Sequence, residues 1–340
     1  MTSVGGQTAV LAPASSPRRG GGTLRYVAGK LGGALVSLGA VVVLGFFLFR
    51  MIPGDPTVTM TRGRDVTAAQ IAELRALHGY DRPIHEQFVR YVGGLLRGDM
   101  GESVFYRRAV SELIGERVGP TLLLVGTSTL IAVTVGLWLG IRGAWRRDSA
   151  FDRASTGTAL VLWAMPAFWL GMLLSMVTGE LFPSGGMRYS STPPGFWPQA
   201  LDVAHHMVLP CLAMIAAVYA QYLLVMRSSL LEEMNSDYLT TARAKGLRDD
   251  LVRRRHAVPN ALLPTVTLVF LHIGLVVSGA ITVETVFSWP GLGLLTYEAL
   301  NGPDLPLLQG TFLVLAGSVI VMNVLADLLY RVLDPRVRAS

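Results

Sequence analysis

The sequence predicts an all-α integral membrane protein with six transmembrane helices. Apolar residues make up 51% of the 340 positions, and only 15% are Asp, Glu, Lys or Arg, against about 25% in soluble domains. Six stretches contain none of these four charged residues and are long enough to cross the hydrocarbon core as helices. This composition argues against a soluble enzyme.

The six predicted crossings share an uninterrupted uncharged character and a length near that of a membrane-spanning helix. In chain order they are Leu31 to Phe49, Pro120 to Ile141, Ala154 to Gly179, Met207 to Met226, Ala261 to Val283, and Leu305 to Ala326. The corresponding segments are a disordered tail over 1–22, a first transmembrane helix within 23–50, an outer helical segment over 51–119, a five-helix core over 120–331 that contains a loop over 227–260, and a tail over 332–340.

The distribution of basic residues predicts the orientation of these crossings. One face collects 18 of the 29 Lys and Arg residues, whereas the short loops on the other face carry only Arg188. Short basic loops stay in the cytoplasm, so both termini and the loop over 227–260 are expected on the cytoplasmic side of the membrane. The net charge of +6 therefore reflects orientation rather than a nucleic-acid partner.

The long outer segment is predicted to be helical. Thr67 can cap a helix that continues through Leu77 and ends near Gly79. A second helix carries its apolar residues at helical spacing (Phe88, Tyr91, Val92, Leu95 and Leu96), and a third is expected near Ser111 to Val118. Two interpretations stay open: a helical layer on the outer membrane surface, or a direct contact with substrate or a docking protein.

Known catalytic and metal-binding patterns are missing. The chain has no phosphate-binding G-x-x-x-x-G-K-[ST] loop, no G-x-S-x-G elbow and no H-E-x-x-H pattern. Its single cysteine, Cys211, cannot build a thiolate metal site. We therefore expect no catalytic residues, bound cofactor or metal, and expect that this chain does not hydrolyse ATP.

The loop over 227–260 is longer than a simple connection and predicts two short helices. Ser236 can cap the first, which runs from Asp237 to Lys245, and Gly246 fits a left-handed stop. The second begins at Asp249 and is closed by Pro259. Small and cationic residues alternate in the first helix, which is typical either of a docking surface for a protein or of a helix pair on anionic lipid.

The stretch from Asp237 to Leu247 resembles the cytoplasmic EAA loop of bacterial ABC importer permeases of the dipeptide/oligopeptide/nickel group. Similar motifs follow the family's order at Ile52 to Pro56, Leu95 to Gly101, Val283 to Gly293, and Leu333 to Arg338. The resemblance covers the chain from about residue 24 to 338 and implies the type I ABC importer permease fold.

This resemblance also implies partners and a site. The expected partners are a second related permease, two ATP-binding domains that carry the ATP and Mg, an extracytoplasmic substrate-binding protein and membrane lipid. The ATPase-docking residues would be Thr240, Thr241, Ala242, Arg243, Ala244, Lys245 and Gly246. The expected function is the import of di- or oligopeptides, with nickel, haem or another small solute as alternative cargo and an ion-driven carrier as the rival mechanism.

A second candidate site is the turn before the last crossing. Its residues could form an outer gate or a contact for the substrate-binding protein, and an interfacial Trp anchor followed by a Pro-Gly turn explains them equally well. They are Glu284, Ser288, Trp289, Pro290 and Gly291. Gln221, His272 and Asn323 could line a polar path or join helices, and Asp327 could pair with a nearby Arg.

Overall fold

A computed structural model describes residues 21–51, 67–302 and 304–333, and within them the fold is α-helical, with no strand beyond one isolated bridge between Glu102 and Ala109. Of the predicted tails over 1–22 and 332–340, residues 21–22 begin the first helix and residues 332–333 end the last one, and the rest lies outside the described residues, as does the Ile52 to Pro56 motif. The helices in chain order are α1 (Gly21–Arg50), α2 (Ala68–His78), α3 (Ile84–Leu95), α4 (Val110–Trp145), α5 (Ala150–Trp163), α6 (Ala167–Thr178), α7 (Phe196–Glu233), α8 (Asp237–Ala244), α9 (Asp249–Val252), α10 (Val258–Val286), α11 (Leu292–Asn301) and α12 (Leu305–Leu333).

Several of these helices are long and apolar enough to cross a membrane. In the described residues there are four, Arg25–Arg50, Val110–Trp145, Phe196–Glu233 and Leu305–Leu328, and five if the bent pair α5 and α6 forms one span. The predicted fifth crossing falls within α10, a continuous helix of 29 residues. The multi-pass architecture is therefore confirmed, and the count of six stays a prediction.

The predicted third crossing is wrong as a single straight helix. It consists of α5 and α6, which meet at an angle of 104°. Pro166 stands at the start of α6, and the residue before a proline is pushed out of the helical conformation. The chain therefore turns at Ala164 to Pro166.

The predicted boundary before the second crossing is also wrong. Residues Ser111 to Val118 do not form a separate outer helix but begin α4, which continues through Pro120 to Trp145. A proline inside a helix keeps a helical φ but removes one backbone hydrogen bond. The packing of neighbouring side chains can compensate for that loss. Such packing surrounds the proline, because Thr121, Leu124 and Val125 are buried immediately after it.

The outer helices α2 and α3 are confirmed. The Thr67 hydroxyl accepts a hydrogen bond from the Gln70 amide at 3.4 Å, and Gly79 ends α2 at φ +67°. Helix α3 lies against the end of α1, where Phe88 and Tyr91 contact the Phe46 ring with centroid distances of 5.2 and 5.5 Å. Helix α3 thus contacts the end of α1, and both interpretations of the outer segment stay predictions.

The loop that follows α3 is fastened to the end of α11. The buried Asp304 carboxylate accepts hydrogen bonds from the Ser103 hydroxyl and, at 3.0 Å, from the Phe105 amide. The Tyr106 hydroxyl donates to Glu298 at 2.7 Å, and burial together with this carboxylate raises the pKa of Tyr106 to about 12. Contacts between residues about 200 positions apart therefore close the outer end of the fold.

Candidate functional site

The predicted loop over 227–260 forms a compact elbow between α7 and α10. Helix α7 extends to Glu233, so the first residues of the predicted loop are still helical. We call residues 234–260 the elbow; it contains α8, α9 and a five-residue π-helical turn, Arg253–Ala257, that leads directly into α10. The two short predicted helices are present, but no loop separates the second one from the next membrane helix.

The end of α8 has the geometry that the sequence predicts. Gly246 adopts φ +82°, its amide donates to the Arg243 carbonyl at 2.9 Å, and the Leu247 amide donates to the Ala242 carbonyl at 3.3 Å. These two bonds form a Schellman motif, in which glycine is favoured because it adopts a left-handed conformation without strain. The helix start agrees less well: Ser236 occupies the cap position, but its side chain makes no capping hydrogen bond.

Helix α8 has an inner and an outer face. Leu239 and Ala242, three residues apart, are buried and belong to a cluster that includes Met226, Leu230 and Ala144 from the ends of α7 and α4. The other six predicted docking residues are exposed: Thr240, Thr241, Arg243, Ala244, Lys245 and Gly246. Ala242 therefore packs inward in this chain, and the small residues available to a partner are Ala244 and Gly246.

Pro259 does not close the second elbow helix as predicted. It lies in the first turn of α10, where a proline is tolerated because that backbone N–H has no helical partner. Helix α9, the π turn and α10 follow each other without a break from Asp249 to Val286. Any displacement of α9 therefore passes into a membrane helix without crossing a flexible loop.

Tyr238 joins the two sides of the elbow, a role that no local sequence pattern indicates. Its hydroxyl donates to the Glu233 carboxylate at the end of α7 and accepts a hydrogen bond from the Asn260 side-chain nitrogen at 2.9 Å. The same Asn260 nitrogen donates to the His256 carbonyl in the π turn at 3.0 Å. Burial, followed by the Glu233 hydrogen bond, raises the pKa of Tyr238. The hydroxyl thus stays protonated and can make both contacts.

An ion pair that the sequence analysis missed fixes the inner end of α7. Arg227 donates two hydrogen bonds to Asp152 of α5, at 2.7 and 2.8 Å, and the Asp152 side chain is only 2% exposed. The Ser149 hydroxyl accepts from the Asp152 amide at 3.2 Å, and Gly143 of α4 lies so close that a Cβ atom would stand 2.9 Å from an Asp152 oxygen. Three helices therefore meet at this pair, which we call the inner strut.

The second candidate site is a buried network at the opposite end of α10. The Glu284 carboxylate accepts hydrogen bonds from the Thr121 hydroxyl at 2.7 Å and from the amides of Gly293 and Leu294 at 2.7 and 3.2 Å. Those amides are the free donors at the start of α11, where a carboxylate is favoured. We call this arrangement the outer lock; it ties α4, α10 and α11 together.

Tight backbone packing completes the outer lock. The buried Trp289 side chain donates to the Pro120 carbonyl at 3.0 Å. At Gly293 a Cβ atom would stand 2.5 Å from the Ile281 Cα, and at Gly291 it would overlap the Glu284 carboxylate. Of the five residues predicted for this turn, only Ser288 is exposed. Trp289 is buried between helices, so it is not placed as an interfacial anchor, and a role of the turn as an outer gate or binding-protein contact stays a prediction.

Asp327 and His272 add no further candidate site in the described part of the chain. Asp327 pairs at 2.6 Å with Lys30 rather than with an Arg. The His272 side chain lies outside the described side chains, so its predicted role is untested. Among the described residues, no group of three or more His, Cys, Asp or Glu side chains is placed to hold a metal ion.

Two family models match the chain. Residues 132–339 match the family described as the binding-protein-dependent transport system inner membrane component, and residues 23–110 match the N-terminal component of the same kind of transport system. Together these matches cover the outer helices, the elbow and the α10 and α11 residues of the outer lock.

Curated relatives agree along nearly their whole length. A putative peptide permease protein of Brucella suis is 39% identical over 322 residues, covering 93% of this chain and 100% of that protein. The dipeptide transport system permease protein DppB of Escherichia coli is 36% identical, and the glutathione transport system permease protein GsiC of Salmonella paratyphi A is 37% identical; each match covers 93% of this chain and 99% of the relative. The chain thus belongs to the family of inner membrane permease components of binding-protein-dependent ABC importers.

Proposed function

We propose that this chain is one permease subunit of an ATP-driven importer of di- or oligopeptides. It forms half of the translocation path, a second related permease forms the other half, and a substrate-binding protein delivers cargo from outside. Two ATP-binding subunits hold ATP and Mg and bind the elbow from the cytoplasm. The names of the relatives, which are permeases for peptides, dipeptides and glutathione, support this cargo class over nickel or haem.

The observation that carries the proposal is the exposed face of α8. Ala244, Lys245 and Gly246 are exposed, and nothing lies within 4 Å of the position of a Gly246 Cβ atom. A partner's backbone can therefore approach closely at the small residues, while Arg243 and Lys245 offer cationic contacts to acidic groups. The buried Leu239 on the opposite face anchors α8 to the bundle. Movement of a bound ATPase is thereby passed to α10.

A bulky substitution at Gly246 tests the docking step. Gly246→Trp fills the open space, and we expect the chain to insert normally, ATP hydrolysis to become uncoupled from uptake, and peptide uptake to fall roughly tenfold, the change that about 1.4 kcal/mol of lost binding produces. Gly246→Asn is the control for backbone strain, because Asn tolerates φ values near +82°. Uptake in that variant should stay near the wild-type rate.

An exposed glycine at the other end of the molecule controls for the size of the introduced side chain alone. Gly98 follows α3, has φ +78°, is exposed and likewise has nothing within 4 Å of a Cβ position. Gly98→Trp should leave the ratio of ATP hydrolysed to peptide imported unchanged. Normal uptake by Gly246→Trp, or cross-linking that places the elbow outside the cell, would contradict the proposal.

The rival mechanism is distinguished by the energy source. An ion-driven carrier imports substrate without a nucleotide, whereas the proposed importer stops when ATP is removed. Uptake of a labelled dipeptide into vesicles that contain the purified complex, its binding protein and internal ATP is the measurement. Uptake that persists after ATP is depleted and stops when the ion gradient collapses would favour the carrier.

A further inference from the structure

The corner between α4 and α5 holds a cation between two aromatic rings. Arg142 lies in the last turn of α4, with its guanidinium carbon 5.5 Å from the centre of the Trp138 ring and 5.4 Å from that of Phe151. The two rings meet edge to face, with centroids 6.1 Å apart and an angle of 88° between their planes. The cation is thus held in a defined position at the surface of the bundle.

This guanidinium has no anionic partner among the described residues. The nearby carboxylates are engaged elsewhere: Asp152 pairs with Arg227, and Asp148 lies 3.4 Å from Arg147. The two rings attract the positive charge but accept none of the five N–H donors of a guanidinium in the way that an oxygen does. Arg142 therefore offers unused donors in a geometry suited to the oxygens of a phosphate group.

The face of α4 above Arg142 is apolar and exposed. Ile131 is 40% exposed and Trp138 is 55% exposed. They precede Arg142 by eleven and four residues, about three turns and one turn, so the three side chains share one face of the helix. In a membrane helix such a surface contacts acyl chains, and Trp is favoured at the boundary between hydrocarbon and headgroups. Arg142 follows Trp138 by one turn, which places the charge at headgroup depth.

The cations around the corner reinforce this charge. Arg146 and Arg153 are exposed and form no ion pair in the described part of the chain. The corner therefore carries a net positive charge, and its basic residues place this end of α4 at the cytoplasmic leaflet. The complementary ligand must combine a negative headgroup with an apolar body that covers the face of α4.

We infer that this corner binds an anionic phospholipid of the cytoplasmic leaflet. Its phosphate accepts hydrogen bonds from Arg142, the Trp138 and Phe151 rings hold the guanidinium in place, and an acyl chain covers the exposed face that includes Ile131. A phospholipid satisfies both requirements with one molecule, whereas a carboxylate from another subunit would satisfy only the charge. The inference concerns a site separate from the elbow and does not depend on the identity of the cargo.

Lipid retention measures the site directly. The full chain, together with any subunits that co-purify, is incubated with mixed micelles of phosphatidylglycerol or phosphatidylcholine, and bound lipid is counted by native mass spectrometry. The wild-type protein should retain phosphatidylglycerol preferentially. Arg142→Gln should lower the occupancy of the tightest site by about fivefold, the equivalent of the ~1 kcal/mol that one basic residue contributes near an anionic surface.

Lys30 provides a matched control at the same end of the bundle. Its ammonium lies 5.7 Å from the centre of the Tyr26 ring, but it is already neutralised by Asp327 at 2.6 Å. Lys30→Gln should therefore keep the wild-type occupancy. Unchanged phosphatidylglycerol binding in Arg142→Gln would overturn the inference. Loss of a co-purifying subunit from that variant, with lipid binding unchanged, would also overturn it and make the corner a subunit interface.

Discussion

The outer lock and the inner strut each bury a carboxylate between helices, but they stabilise it in different ways. Glu284 is fully buried and is satisfied by a hydroxyl and two backbone amides, all uncharged. Asp152 is satisfied mainly by the guanidinium of Arg227. The outer site thus depends on backbone geometry and the inner site on a pair of opposite charges.

The packing around the two carboxylates shows the same contrast between backbone contacts and side-chain contacts. Around Glu284 the backbones of α10 and α11 approach so closely that glycine is required at Gly293. Near the inner strut, the elbow keeps most of its cationic residues exposed, and side-chain contacts such as that of Tyr238 hold it in place. The difference indicates that tight backbone packing closes the Glu284 end of α10, whereas the elbow end keeps an exposed surface that another protein could contact.

Removing the charge of Asp152 should have the largest effect. Asp152→Asn leaves Arg227 without a counter-ion, and breaking a buried pair in this way costs about 3 kcal/mol, the low end of the usual range because Arg227 is 25% exposed. Thermal unfolding of the purified protein, followed by tryptophan fluorescence, measures the change. The control is Asp327→Asn, which breaks the half-exposed pair with Lys30 and should cost less than about 1 kcal/mol. Equal losses for the two variants would contradict the distinction between them.

Truncating Glu284 should have an intermediate effect. Glu284→Ala leaves the amides of Gly293 and Leu294 and the Thr121 hydroxyl without an acceptor, so we expect a loss of roughly 2 kcal/mol of unfolding free energy. Glu284→Gln keeps one oxygen as an acceptor and should cost less than about 1 kcal/mol. If the Gln variant is as unstable as the Ala variant, the outer lock needs the negative charge and resembles the inner strut after all.

Removing single tyrosine hydroxyls should have the smallest effect on stability. It should also show which end of the molecule takes part in coupling ATP hydrolysis to uptake. Tyr238→Phe removes the contacts to Glu233 and Asn260, and Tyr106→Phe removes the contact to Glu298. Each should cost about 1 kcal/mol of stability. Only Tyr238→Phe should raise the ratio of ATP hydrolysed to peptide imported, because it loosens the elbow. The same ratio in both variants would show that Tyr238 has no part in coupling.

The raised pKa of Tyr106 predicts how the free energy of unfolding depends on pH. Because the folded-state pKa is about 12 and the ordinary value is 10.0, the stability from this hydroxyl is present below pH 10 and is lost as the pH rises through about 12. Wild-type protein should therefore lose more unfolding free energy than Tyr106→Phe over that interval. Parallel losses in the two proteins would contradict the buried Tyr106–Glu298 contact.

The features that could be predicted from the sequence are those set by neighbouring residues. The cap at Thr67 and the left-handed stops at Gly79 and Gly246 depend on contacts within a few positions, and all three are present. The prolines show the limit of such reasoning. Pro166 stands at a bend immediately before a helix, Pro259 lies in the first turn of one, and Pro120 lies inside one. The outcome depends on which helices pack around each proline, and no local pattern records that packing.

Contacts between distant positions could not be predicted in the same way. Asp152 and Arg227 are 75 residues apart, and each looks like an ordinary charge beside a membrane helix until the fold brings them together. The inward direction of Ala242 likewise follows from the packing of α8 on Met226 and Leu230. The motif could indicate a candidate docking segment from local sequence alone, whereas the side of the helix that stays exposed required the tertiary structure.

The unbroken helical run from the elbow to Glu284 gives the chain a long lever arm. At 1.5 Å per residue, the axis from Val252 to Glu284 extends about 50 Å. A tilt of about five degrees at the elbow would then displace the Glu284 end of the helix sideways by about 4 Å. A small rotation at one end of this continuous helix therefore becomes a displacement of several ångströms at the other.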